Sequence, residues 1–145
     1  MRLKAKGKRF KEIPIPPYTS HHIPYTFMSI VSKYDPLFHY QWGVYCDGWV
    51  LVDRDELSIK QERMPPGTSE TLHYHEKAQQ FFFILKGIAT FEVENQSYTV
   101  HTGKGFYIEP GKKHRIINTT AEDMEFILSS QPSTNNDRFN CVEYE

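Results

Sequence analysis

Nine short runs of β-forming residues follow one another between Trp49 and Ser129, and no stretch of helical periodicity separates them. The runs are 49–52, 57–64, 71–75, 80–85, 89–93, 97–101, 105–108, 114–118 and 124–129. Turn residues divide most of them: Asp53-Arg54-Asp55, Pro65-Pro66-Gly67, Lys86-Gly87, Glu94-Asn95-Gln96, Thr102-Gly103 and Pro110-Gly111. Strands this short bury their apolar sides only by closing on themselves or stacking on a second sheet. The expected class is therefore all-β, a barrel or a sandwich. The 145 residues suffice for one such domain.

Residues 1–45 have another texture. They carry Pro14, Pro16, Pro17, Pro24 and Pro36 among many aromatics, with weak periodicity. Each proline removes a backbone donor and fixes its own φ, which excludes a long helix. The expectation is an N-terminal arm over 1–45, made of turns and short strands lying on the barrel or on a neighbouring subunit, with the barrel in 46–145. The first eleven residues are basic, but no apolar signal-peptide core follows them. The longest apolar run, Phe81 to Leu85, is far too short to span a membrane. Seventeen basic residues against eighteen acidic ones give no electrostatic reason to expect nucleic acid or an anionic membrane as partner. Cys46 and Cys141 fit neither a metal-binding spacing nor a disulfide framework, and read as free thiols in a reducing, cytoplasmic setting.

The chemistry gathers around four side chains. His73 and His75 lie two apart in a strand, so their imidazoles share one face. Gln80 opens the next strand and His114 a later one. Three imidazoles and an amide oxygen suit a divalent transition metal. His21, His22, His39 and His101 lack such company and read as surface or core residues. Strand parity places Gln80, Phe82 and Ile84 on one face and His114, Ile116 and Asn118 on another. With Tyr107 (or Phe106 and Ile108) and Phe126, these give an apolar pocket wall of Phe82, Ile84, Tyr107, Ile116, Asn118 and Phe126. Either Gln61 and Arg63 or Glu62 and Met64 enter it, depending on the register through Pro65-Pro66. Asp137-Arg138 in the polar tail reads as a solvated pair. Residues 139–145 read as one more strand or a short helix.

The stretch from Gly67 to Gly87, GTSETLHYHEKAQQFFFILKG, resembles the first motif of the cupin superfamily. The stretch from Gly103 to Asn118, GKGFYIEPGKKHRIIN, resembles the second. Fifteen residues, Ile88 to Thr102, separate them, as in small single-domain cupins. The resemblance implies a double-stranded β-helix, or jelly-roll, barrel and a metal held by His73, His75, His114 and the residue at Gln80. Two positions depart from the pattern. Glu109 replaces a proline, and Gln80 replaces the usual glutamate ligand. Four neutral ligands leave the full charge on the ion, which sharpens its Lewis acidity and disfavours a 3+ state.

The expected function is that of a cupin with one divalent ion, Zn, Ni, Mn or Fe, acting on a small molecule. Isomerisation, ring opening or lyase chemistry on a sugar-derived or keto-acid substrate fits best. The alternatives are a non-catalytic ligand sensor and an iron-dependent dioxygenase, because this fold hosts many activities. The run Phe81-Phe82-Phe83-Ile84-Leu85 is apolar at every position. It is expected to be buried on both faces, the outer one by a second subunit in a homodimer.

Overall fold

In the computed structural model, which describes residues 28–142, strand alternation folds the chain into two antiparallel sheets. The strands are β1 (Phe38–Trp42), β2 (Cys46–Asp53), β3 (Ser58–Met64), β4 (His73–Tyr74), β5 (Gln79–Lys86), β6 (Ile88–Val93), β7 (Gln96–His101), β8 (Gly105–Ile108), β9 (His114–Ile117), β10 (Met124–Gln131) and β11 (Phe139–Asn140). The larger sheet runs β1-β2-β3-β10-β5-β8 and the smaller β11-β4-β9-β6-β7. This is the all-β jelly-roll barrel that the turn spacing and the two motifs imply. No helix among the described residues is long and apolar enough to cross a membrane.

The core lies between the sheets, where β5, β6 and β10 turn alternate side chains inward. The Phe82 ring meets Phe91 at 5.0 Å and Phe126 at 5.5 Å, with Met64, Ile84, Ile116 and Met124 around them. Each of these phenylalanines is fully buried, and truncating one to alanine costs about 3–5 kcal/mol. Two turns fix the strand register. Glu94 and Asn95 both have positive φ, 48° and 66°, which joins β6 to β7 as a two-residue type I′ hairpin. Gly87 has φ of 79° between β5 and β6, and a Cβ there would come within 2.8 Å of the Asp123 carbonyl.

Three expectations meet the structure here. First, a single chain buries one face of the run from Phe81 to Leu85: Phe82 and Ile84 point inward, whereas Phe81, Phe83 and Leu85, on the face expected to meet a second subunit, are 45%, 37% and 42% exposed. The strand keeps its period of two, and no described element covers its outer face. Second, residues 28–45 fall within the expected arm of turns and short strands, and there β1 pairs along its full length with β2, with Tyr40 opposite Gly48. Residues 1–27, including His21 and His22, lie outside the described residues. Third, a further strand follows the polar tail, as expected: β11 pairs with β4, Phe139 opposite Tyr74 and Asn140 opposite His73.

Candidate metal centre

His73 and His75 come from β4 and the residues just after it. His114 opens β9, directly opposite His73 in the register, and Gln80 is the second residue of β5. All four are buried. The imidazole centroids lie 4.4 to 5.4 Å apart, and one ring nitrogen from each histidine can be chosen so that all three lie within 4.8 Å of one another. Gln80 Nε2 donates to Ser130 Oγ at 3.0 Å. With the amide so oriented, Gln80 Oε1 stands 3.0 Å from His114 Nε2.

The hydrogen bonds select one tautomer. His73 Nδ1 lies 2.7 Å from the Thr71 carbonyl, His75 Nδ1 lies 2.6 Å from that of Asp137, and His114 Nδ1 lies 2.7 Å from that of Lys112. Carbonyls only accept, so each Nδ1 carries the proton and each neutral ring keeps a bare lone pair on Nε2. Burial, aided by the Arg138 charge, pushes His73 down to about 3. Burial also takes His114 down to about 4 and lowers His75. All three rings are therefore neutral at pH 7. His75 Nε2 is buried and finds no hydrogen-bond partner among the described residues. A buried, orphaned lone pair beside a second nitrogen that faces an amide oxygen suits a cation, since every one of these atoms is an acceptor. The four residues fit a divalent ion.

A cavity of about 360 Å³ opens beside His73, His75 and Gln80. Its wall includes Phe82, Tyr40 and Trp42 from β1, Lys60 and Glu62 from β3, Glu70, and Arg138. The Tyr40 hydroxyl donates to Glu62 Oε1. Gly48 makes this possible: it lies between Tyr40 and Glu62 in the register, and a Cβ there would sit 2.0 Å from Tyr40 Cζ. Burial pushes the Glu62 carboxyl up, against the Tyr40 hydrogen bond. Burial, with the neighbouring Glu62 charge, pushes Glu70 up to about 8.

Of the six expected wall residues, the cavity takes Phe82. Ile84, Ile116 and Phe126 belong to the core, on the same inward faces but away from the cavity. Asn118 is a staple, not a wall: its amide donates to the Met64 and Glu122 carbonyls and its oxygen accepts from Thr120. Tyr107 is 53% exposed, because parity on β8 turns Phe106 and Ile108 inward, and it donates to Gln79. On β3 the inward pair is Glu62 and Met64. Asp137-Arg138 is no solvated pair. Asp137 is buried and accepts from the Glu76, Lys77 and Ala78 amides, while Arg138 reaches the cavity. Tyr40, Glu70 and Arg138 went unrecognised as wall residues in the sequence. The one signal for Tyr40 was the glycine that seats it.

Residues 60–130 match the family model of the cupin domain. The chain belongs to the cupin superfamily. A curated relative, the oxalate-binding protein of Thermotoga maritima, is 32% identical over 65 residues, 45% of this cupin and 54% of that protein. The match thus spans about half of that relative. Among solved structures, KdgF from Halomonas superposes with a TM-score of 0.68 at 15% identity, covering 76% of this cupin and 98% of KdgF. A double-stranded β-helix protein from Klebsiella pneumoniae gives 0.60 at 18% identity, with 66% and 83% coverage. At such identities the superpositions speak for the fold.

Proposed function

We propose that this cupin holds one divalent ion, Zn, Ni, Mn or Fe, on His73, His75, His114 and Gln80. The ion would serve an isomerisation, ring opening or lyase reaction on a small oxygen-rich molecule, sugar-derived or a keto acid. The observation that carries the reading is the convergence of three neutral imidazoles whose Nδ1 protons are already committed to backbone carbonyls. A bound ion supplies Lewis-acid polarisation of a ligand oxygen. Gln80, in place of a carboxylate, leaves the donor set neutral and the ion's charge undiminished. Tyr40 and Glu62 form a hydrogen-bonded pair on the cavity wall, placed to give a proton to a ligand atom or take one from it. Phe82 and Trp42 add apolar wall that limits water. The relationship to a protein named for oxalate binding supports an oxygen-rich ligand.

The same reading gives the cupin a second copy as partner, seated on Phe81, Phe83 and Leu85 of β5. It also places the chain in the cytoplasm, where free Cys46 and Cys141 stay reduced. The test of the chemistry is to incubate metal-loaded protein with a panel of uronates and keto acids, following products by NMR and oxygen with an electrode. A rearranged or cleaved product without oxygen uptake supports the proposal. Turnover that consumes oxygen, or none across the panel with any of the four metals, contradicts it.

A further inference from the structure

Arg138 is held between anchored neighbours. Before it, the Asp137 carboxylate accepts three backbone amides and the Asp137 carbonyl orients His75. After it, Phe139 stacks on Tyr74 at 5.1 Å and Asn140 pairs with His73. The segment that carries Arg138 is thus pinned to both ends of the His73–His75 strand. Arg138 is exposed and stands at the mouth of the cavity. Its Nε donates to Asn140 Oδ1 at 3.1 Å, and its two Nη groups make no hydrogen bond to any described residue.

Lys60 stands on the same wall, its ammonium 5.5 Å from the centre of the Tyr40 ring. Neither cation has an ion-pair partner within 4.0 Å among the described residues. Other cations of the barrel do: Arg63 pairs with Asp47 at 2.6 Å, Arg115 with Glu92 at 2.7 Å and Lys33 with Glu125 at 2.7 Å. The two cavity acids stand beyond ion-pair distance of both cations, although the Arg138 and Lys60 charges act on each and counter part of the rise that burial gives their carboxyls. Glu62 accepts from Tyr40, and Glu70 Oε2 lies 3.4 Å from His73 Nδ1. Two unpaired cations therefore face a shared cavity, and one presents the free side of a guanidinium fork. That fork matches the two oxygens of a carboxylate, and a neutral hydroxyl or amide does not.

We infer that the ligand of this cavity carries a carboxylate, that Arg138 binds it, and that Lys60 adds the second positive charge. The inference narrows the ligand class of the proposed function and rests on that reading of the cavity as the ligand site. The test is calorimetric titration of the full chain, metal-free and metal-loaded, with oxalate and D-glucuronate. Oxamide and D-glucose serve as their neutral counterparts, and the metal content of every sample is measured. Arg138→Gln is expected to weaken whichever carboxylate binds by about tenfold or more and to leave the neutral probes unchanged. Arg138→Lys should recover part of the loss, and wild-type binding should weaken as salt rises. Equal carboxylate affinity in Arg138→Gln, or no carboxylate binding by the wild type, overturns the inference even if metal is bound. Arg138-dependent carboxylate binding by a protein that takes up no metal upholds the inference and sinks the metal reading instead.

Discussion

Asp137 grips the strand of His75 from two directions: its carbonyl lies 2.6 Å from His75 Nδ1, and its carboxylate accepts the amides of Glu76, Lys77 and Ala78. One residue of the returning tail thus sets both the tautomer of a candidate metal ligand and the shape of the loop that follows it. Asp137→Ala should cost about 1–3 kcal/mol in stability by leaving those amides unpaired. It should also lower metal affinity about 10-fold to 100-fold by freeing the carbonyl behind His75. Burial works to raise the Asp137 carboxyl, but the three amides outweigh it and hold the group below its ordinary value of 3.8. A depressed carboxylate stabilises the fold at pH values above that ordinary value, and its contribution is lost as pH falls through the lower, folded value. Urea unfolding of wild type and variant between pH 3 and 7 checks both points, and the gap between them should narrow at the acid end.

The imidazoles titrate in a different window. His73 and His114 are pushed down to about 3 and 4, chiefly by burial, from an ordinary value of 6.5. Between those values the unfolded chain binds protons that the folded chain refuses, so acid favours unfolding. Metal-free protein should keep its full stability from these groups above about pH 6.5 and lose it steadily down to about pH 4. Urea midpoints measured in the presence of a chelator at pH 7.5, 5.5 and 4.5 would show the trend. Glu70, pushed up to about 8, acts in the opposite sense over the same window, so the series is run in Glu70→Gln, where a flat profile would mean that the rings are not buried as described.

Gly48 is a seat for Tyr40. Gly48→Ala places a methyl group where the phenol ring lies, 2.0 Å from Cζ, and should cost about 1–3 kcal/mol while parting Tyr40 from Glu62. Tyr40→Phe keeps the ring and removes the hydroxyl, leaving the buried Glu62 carboxyl without its donor, for a similar loss. Thermal melts of the two variants and of the double variant check the linkage. Losses that add in full would show that Gly48 and Tyr40 act independently.

Phe81, Phe83 and Leu85 form an apolar ridge on the outer face of β5. If a second copy covers it, Phe83→Lys should shift the sedimentation coefficient from that of a dimer to that of a monomer and leave the circular dichroism unchanged. A wild-type monomer at micromolar concentration would remove the homodimer from the account.

The parts of the site that proved legible in the sequence are those set by short-range geometry. His73 and His75 share a face because a strand alternates, and Phe82 and Ile84 follow Gln80 inward for the same reason. Glycines and prolines marked nearly every turn. What stayed hidden depends on contacts far apart in the chain. The inward choice of Glu62 over Gln61 turns on the register through Pro65-Pro66, which the local pattern leaves open. Strand β1 lies in proline-rich text, and only its pairing with β2 brings Tyr40 to the cavity. Asp137 and Arg138 look like ordinary tail residues, because the amides that Asp137 accepts lie about sixty positions earlier in the chain. What covers the outer face of the run around Phe83 is equally beyond the local pattern, because composition alone does not reveal a partner.

The proposed chemistry depends on a cation among His73, His75, His114 and Gln80, and elemental analysis of protein purified without a histidine tag is its sharpest test. About one equivalent of a divalent transition metal per chain is expected. That metal should be lost in His75→Ala and His114→Ala with the fold retained, and bound more tightly in Gln80→Glu, where a carboxylate adds negative charge to the ligand set. A folded wild-type protein that stays metal-free after dialysis against micromolar Zn, Ni, Mn or Fe(II) would contradict it.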